Sequence, residues 1–191
     1  MKKYVFSILL LLTFSIGFSQ TEESLKARAE ILFNATNKLD MVAIMKLTYN
    51  QAFKDFDKDA LAESMKQAFD NEYMSITFKN PSPVPFTTTP IKSIDGKKFS
   101  VIRYRNKMIL KLKQPFEKSA IDAMTTGLKQ SENYEIVVYD EKTNSFNIEG
   151  KGVMIAVSDA STKGEWEFIN YENKEMFNAV FGEKIKTELG L

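Results

Sequence analysis

The chain has 191 residues, 26 of them basic and 25 acidic, and contains neither histidine nor cysteine. Those absences exclude Ser-His-Asp and Cys-His catalysis, imidazole and thiolate metal sites, and disulfides. Acid–base work is left to Asp, Glu, Lys or Tyr with shifted pKa values, and the near-neutral charge gives no electrostatic case for nucleic acid or an anionic membrane surface.

The opening stretch, "MKKYVFSILLLLTFSIGFSQ", has a basic start at Lys2 and Lys3 and an apolar run from Tyr4 to Phe14. Gly17 and Ser19 then occupy −3 and −1 of a cut before Gln20. This pattern predicts a signal peptide over residues 1–19, hence a protein exported to the periplasm or secreted. No Cys stands at the junction to carry a lipid anchor, so no membrane attachment is expected after cleavage. The "FSQ" ending resembles those of exported Bacteroidota proteins. The remaining segment, 20–191, is about 172 residues long, the size of one domain with its own core. Loss of Lys2 and Lys3 takes its net charge from +1 to −1.

Helical spacing governs the first half of that segment. Leu25, Ala29, Leu32, Thr36 and Leu39 form one stripe, with Ser24 as the expected N-cap and Asn37-Lys38 as the break. Asp40 opens a second helix carrying Val42, Met45, Tyr49 and Phe53 on one face. A third, capped by Asp57 or Asp59, places Leu61, Met65 and Phe69 in line.

At Tyr73 the period becomes two, with Met74, Ile76 and Phe78 alternating against Ser75, Thr77 and Lys79. "NPSPVP" reads as a stiff loop, and a strand follows through Ile91 and Ile94 to a hairpin turn at Asp95-Gly96. "FSVIRYR" and "MILKLK" are expected to be two strands meeting at Asn106. A helix over Pro115–Gln130 carries Phe116, Ala120, Met124 and Leu128. "YEIVVY", "SFNIE" and "GVMIAVS" read as strands joined by the turns "DEKTN" and "GKG". "EWEFINY" is the last strand, and Phe177, Phe181, Ile185 and Leu189 line a terminal helix. The fold class expected is therefore α+β: N-terminal helices on one face of a curved, mainly antiparallel sheet, with an inserted helix and a C-terminal helix.

Three stretches carry a resemblance. "NKLDMVAIMKLTY" is similar to the break-plus-aspartate between the first two helices of the NTF2-like (cystatin-like, cone-shaped) superfamily. "DKDALAESMKQAFDNEYMSITF" looks like its third helix running into a strand, and "GVMIAVSDASTKGEWEFINY" like its closing hairpin. "TYNQAFKDF" departs from the pattern, reading as helix where that superfamily has a short strand. The resemblance implies helices against a strongly bent sheet with a cavity between. It leaves function open, because isomerases, dehydratases and binding modules all share that scaffold. The enzymes among them use an Asp or His base inside the cone; here Asp40 stands at a helix start, where its expected work is capping.

Four residues are candidates to line such a cavity: Tyr49, Arg103, Tyr104 and Trp166. The three aromatics each pair an apolar ring with a polar atom able to orient a ligand, although such residues more often simply fill core. Arg103 depends on register. A two-residue turn at Asn106-Lys107 puts Val101 and Arg103 on the apolar side with Leu110 and Leu112. A three-residue turn points Ile102 and Tyr104 inward and leaves Arg103, Arg105, Lys111 and Lys113 as an outward basic patch. The apolar content of Ile102 and Tyr104 favours the second. In "GEWEFINY", alternation sets Trp166, Phe168 and Asn170 on one face and Glu165, Glu167 and Ile169 on the other, toward water.

No catalytic residue, cofactor or metal is assigned by these patterns. The expectation is an exported, non-enzymatic domain binding a small apolar ligand or a partner protein, with homodimer formation open. The alternative is an NTF2-like isomerase or lyase using a buried carboxylate and a tyrosine.

Overall fold

A computed structural model of the chain describes residues 21–54 and 57–191. The expected signal peptide and its cut before Gln20 lie outside the described residues. Among those described, no helix is long and apolar enough to cross a membrane.

Helix α1 (Glu22–Lys38) is capped by Thr21 rather than by the expected Ser24. The two form a capping box in which Ser24 N donates to Thr21 Oγ1 and Thr21 N donates to Ser24 Oγ, each at 3.1 Å. Leu25, Ala29 and Leu32 are buried as the spacing required. The chain breaks where Leu39 adopts a left-handed φ of 54°. Asp40 then caps α2 (Met41–Leu47), its carboxylate accepting from Ala43 N at 3.0 Å.

The second helix is shorter than its periodicity predicts, and Val42 is exposed while Met45, Tyr49 and Phe53 are buried. Thr48 is extended and bridges Phe168 in parallel, and Tyr49 N donates to the Phe168 carbonyl at 2.8 Å. A strand edge thus takes the amide that another helical turn would have used, and a 3-10 turn, Asn50–Phe53, follows. Helix α3 (Lys58–Phe69) is capped by Asp57, whose carboxylate accepts from Asp59 N at 2.9 Å and Ala60 N at 3.2 Å. Its apolar face (Leu61, Met65, Phe69) is only half-buried, because it roofs open space.

The sheet contains β1 (Met74–Phe78), β2 (Phe86–Thr88), β3 (Lys92–Ile94), β4 (Lys97–Leu112), β5 (Tyr134–Asp140), β6 (Ser145–Ser158) and β7 (Glu167–Asn170). Every ladder is antiparallel. The β3–β4 hairpin turns at Asp95-Gly96 as expected, with φ of 50° and 75°.

Two expected turns do not exist. β4 runs unbroken through Asn106, and β6 runs unbroken through Gly150-Lys151-Gly152. The two strands pair with each other from Lys98↔Ser158 to Lys111↔Ser145, so Asn106 faces Gly150 and Tyr104 faces Gly152. Turn-prone residues stay extended here because each strand supplies the other's ladder hydrogen bonds along its whole length. With no turn, alternation carries straight along β4: Ile102, Tyr104, Met108, Leu110 and Leu112 share the inner face. Arg103, Arg105, Lys107 and Lys111 share the outer one.

The inner face is covered at one end by α1, where Ile102, Met154, Ala156, Trp166 and Phe168 join its stripe. At the other end α4 (Lys118–Lys129) packs Ile121 against Leu110, Leu112, Phe146 and Ile148. It starts three residues later than predicted and leaves Phe116 exposed. The expected C-terminal helix, α5 (Lys174–Leu189), covers one end of the outer face, burying Phe99, Val101, Ile155, Val157 and Ile169. The fold is α+β, with both faces of the sheet buried at one end only.

Candidate functional site

A cavity of about 530 Å³ lies between helices α1–α3 and the inner face of the sheet. Its helical wall is apolar: Leu32, Phe33, Ile44, Met45, Leu61 and Met65. Its floor changes character midway along β4 and β6, where Tyr104, Asn106, Gly150 and Tyr134 replace the aliphatic residues on either side.

The two glycines create that floor. A Cβ at position 152 would stand 2.3 Å from Tyr104 Cζ, so the ring lies directly on Gly152. A Cβ at position 150 would stand 2.2 Å from the Asn133 carbonyl oxygen, so the turn into β5 closes over Gly150. Beside it the β5–β6 register shifts between Tyr134 and Ile136, a bulge that interrupts the ladder. Tyr104 is steadied from above by Phe33, whose ring meets it edge-on at a centroid distance of 4.9 Å. Among the described residues, neither phenol oxygen nor the Asn106 amide meets a hydrogen-bonding partner; all three line the cavity.

Glu172 completes this polar end from the segment after β7. Strands β5 and β7 both pair with β6 but leave a gap between them, and the chain crosses it there. Tyr171 N donates to the Val153 carbonyl at 3.0 Å, and Glu172 lines the cavity. Glu172 is exposed to solvent as well as lining the cavity, and partial burial raises its carboxyl above the ordinary glutamate range, against hydrogen bonds from Asn170 and the Val153 backbone that favour its charge. The Tyr104 phenol is driven well above its usual value by burial and then by the negative charge of Glu172. The same two causes raise Tyr134.

The four residues singled out from sequence go to different places. Tyr104 lines this cavity. Trp166 is core under α1: its Nε1 donates to Ser24 Oγ at 3.1 Å, and its carbonyl accepts from Arg28 Nε at 2.7 Å. Arg103 is exposed on the outer face and lines neither this cavity nor the hollow beside the β3–β4 turn. Around it Arg105 pairs with Glu135 at 2.5 Å, Lys151 pairs with the same glutamate, and Lys107 pairs with Glu149 at 2.8 Å. Of the expected basic patch, Arg105 is thus neutralised within its own face and Lys113 pairs with Asp70 at 2.5 Å, while Arg103 and Lys111 have no ion pair among the described residues.

Tyr49 belongs to a second, polar hollow of about 540 Å³ beside the β3–β4 turn. Its hydroxyl donates to Asp159 Oδ2 at 2.7 Å; Lys97 pairs with the same oxygen, and Ser161 Oγ donates to Oδ1 at 2.6 Å. Burial opposes the charge on Asp159, but the hydrogen bonds from Lys97, Ser161 and Tyr49 outweigh it and hold the carboxyl far below the aspartate range. Asp159 also takes the amides of Ser161 and Thr162 at 2.8 and 3.2 Å. A carboxylate so fully engaged anchors the β6–β7 turn and has no basicity left for chemistry. The glutamates flanking Trp166 are likewise engaged: Glu165 pairs with Arg28 at 2.6 Å, and Glu167 accepts from Asn50 N at 2.7 Å.

Asn106, Tyr134 and Glu172 were missed in the sequence reading. Local composition places Asn106 at one turn, and Gly150 and Gly152 at another. A signal was present: Phe146, Ile148, Gly150, Gly152, Met154 and Ala156 alternate without a break, so both glycines fall on the apolar face. Nothing comparable marked Glu172.

No protein-family model matches the chain, and no curated protein matches it. Among solved structures, that of a conserved protein from Planctomyces limnophilus DSM 3776 is similar over 77% of this chain and 89% of that one. The identity is 11% and the TM-score 0.40, a likeness that assigns neither a family nor an activity. Among the described residues no cluster of Asp and Glu is arranged to hold a metal ion. What the site offers is an apolar chamber with a carboxylate, two phenols and an amide at one end.

Proposed function

We propose that this is an exported domain that binds a small, mainly apolar ligand in the chamber between α1–α3 and the sheet. The observation that carries this reading is the cavity of about 530 Å³, within the usual size for a small-molecule site and walled mostly by aliphatic and aromatic side chains. A few convergent polar groups at one end, here Tyr104, Asn106, Tyr134 and Glu172, are what such sites use to fix orientation. The half-buried state of Leu61, Met65 and Phe69 adds support, since α3 presents apolar surface to the chamber rather than to packed core. Helices over a curved sheet also favour kinship with the NTF2-like superfamily, which belongs to the same proposal.

The test is binding of a neutral apolar dye by the purified protein, compared with an Ile44→Trp variant designed to fill the chamber. Saturable dye binding by the natural chain, lost in a variant with unchanged circular dichroism, is expected. Equal binding by both proteins would move the ligand elsewhere on the surface and sink the reading.

A second reading is favoured by one observation: a burial-raised carboxyl shares the chamber with two unpartnered phenols. That is the equipment of a proton-transfer isomerase or lyase, with Glu172 as base and Tyr104 or Tyr134 as donor to the developing oxyanion. It predicts turnover of an apolar carbonyl substrate that disappears in Glu172→Gln.

A further inference from the structure

The polar end of the chamber has a definite charge character. Among the described residues only two ionisable side chains of full formal charge line the cavity, Lys151 and Glu172. Lys151 is spoken for, its ammonium pairing with Glu135, which also holds Arg105 on the outer face. Glu172 has no ion pair among the described residues; its partners are the Asn170 side chain and the Val153 backbone. The uncharged polar groups of the lining that have no hydrogen-bonding partner among the described residues, two phenols and the Asn106 amide, both donate and accept, and so discriminate little between head groups.

We infer that the chamber selects amphiphiles whose polar end donates hydrogen bonds, an alcohol or an amine, and discriminates against those ending in a carboxylate. This inference rests on the ligand-binding reading above. A donor head set among Tyr104, Tyr134 and Asn106 has the Glu172 carboxylate as its acceptor. A carboxylate head there would face a second carboxylate, with no unpaired cation among the described residues that line the cavity to separate them. The arrangement is built: register places Tyr104 opposite Gly152 and Asn106 opposite Gly150, with Tyr134 paired to that same glycine. Glu172 enters beside Val153, the next position along β6. The apolar walls supply affinity without regard to head group, so Glu172 contributes selectivity rather than strength.

The experiment is displacement of bound N-phenylnaphthylamine by a medium-chain alcohol, amine and carboxylate of equal chain length. All are used below their micelle concentrations at about pH 8, some units above the ordinary glutamate value of about 4.3. The alcohol and amine should displace the dye at least about tenfold more effectively than the carboxylate, a difference of ordinary size for one charged contact. In Glu172→Gln the carboxylate should come to within about threefold of the alcohol, and the amine should lose its advantage. Equal displacement by carboxylate and alcohol in the natural chain overturns the inference, and needs no variant to be folded. So does discrimination that survives in the folded Gln variant. A chain that binds the dye but shows no head-group preference leaves the apolar-ligand reading standing, whereas failure to bind dye removes both.

Discussion

Glu172 is held at a cost to the folded protein. Its carboxyl sits above the ordinary range because burial penalises its charge more than Asn170 and the Val153 backbone favour it. A raised folded pKa means that the native state prefers the protonated form. The penalty is therefore absent below the unfolded value near ~4.3, grows as pH rises through the folded value, and is constant above it. Glu172→Gln should raise the melting temperature at about pH 8 and leave it unchanged below about pH 4, where both side chains are neutral. Thermal unfolding followed across pH tests this; a destabilised variant at alkaline pH would mean that the carboxylate serves structure. Asp159 is the opposite case, a lowered carboxyl whose contribution is present at neutral pH and lost toward strong acid. The contrast separates a residue spent on a turn from one kept at a site. Sequence could not make that separation, since both are single acids in turn-rich stretches.

At the scale of the element, the long β4–β6 ladder decides the site. Alternation in "FSVIRYRNKMILKLK" was legible, and the inward direction of Ile102 and Tyr104 followed from apolar content, but the turn at Asn106 did not. Local preference for a turn is weak beside a partner strand that pairs all the way from Lys98 to Lys111. Gly150 and Gly152 are then positions of close approach rather than of turning. Neither has the positive φ that would require glycine, so only space is at issue. Their neighbours differ, and the effects of substitution should differ with them. Gly150→Ala drives Cβ against the Asn133 backbone carbonyl, which cannot swing away, and should cost ~1–3 kcal/mol in denaturant unfolding. Gly152→Ala meets the far end of the Tyr104 side chain, which can tilt into the open chamber. That variant should lose less stability than Gly150→Ala but bind an apolar dye more weakly. The reverse order would show that the Tyr104 ring is rigid and the Asn133 turn soft.

For the whole molecule, the unexpected feature is a sheet buried on both faces at one end and on one face at the other. α5 supplies the second layer through Phe177, fully buried and in edge contact with Tyr171 at a centroid distance of 5.0 Å. Phe177→Ala should cost ~3–5 kcal/mol in chemical unfolding, because the cavity it leaves lies between packed layers that cannot collapse onto it. A loss below ~1 kcal/mol would show that α5 only rests on the sheet. At the far end, Ile136 and Val138 stand exposed on the outer face of edge strand β5, beside Glu135, which pairs with Arg105 and Lys151; charge on an edge strand discourages edge association.

Sequence by itself determined the element types, the three N-terminal helices with two of their caps, the Asp95-Gly96 hairpin and the inward face of Trp166 and Phe168. It also excluded histidine- and cysteine-based chemistry outright. These are local or compositional properties, set by side-chain period and by residue types a few positions apart. Tertiary structure alone decided that β4 and β6 run past their turn-like residues, that α5 covers one end of the outer sheet face, and that Glu172 lines the same cavity as Tyr104 and Tyr134. Each of these depends on segments distant along the chain competing for the same backbone hydrogen bonds or the same apolar surface. No short-range pattern records which competitor wins.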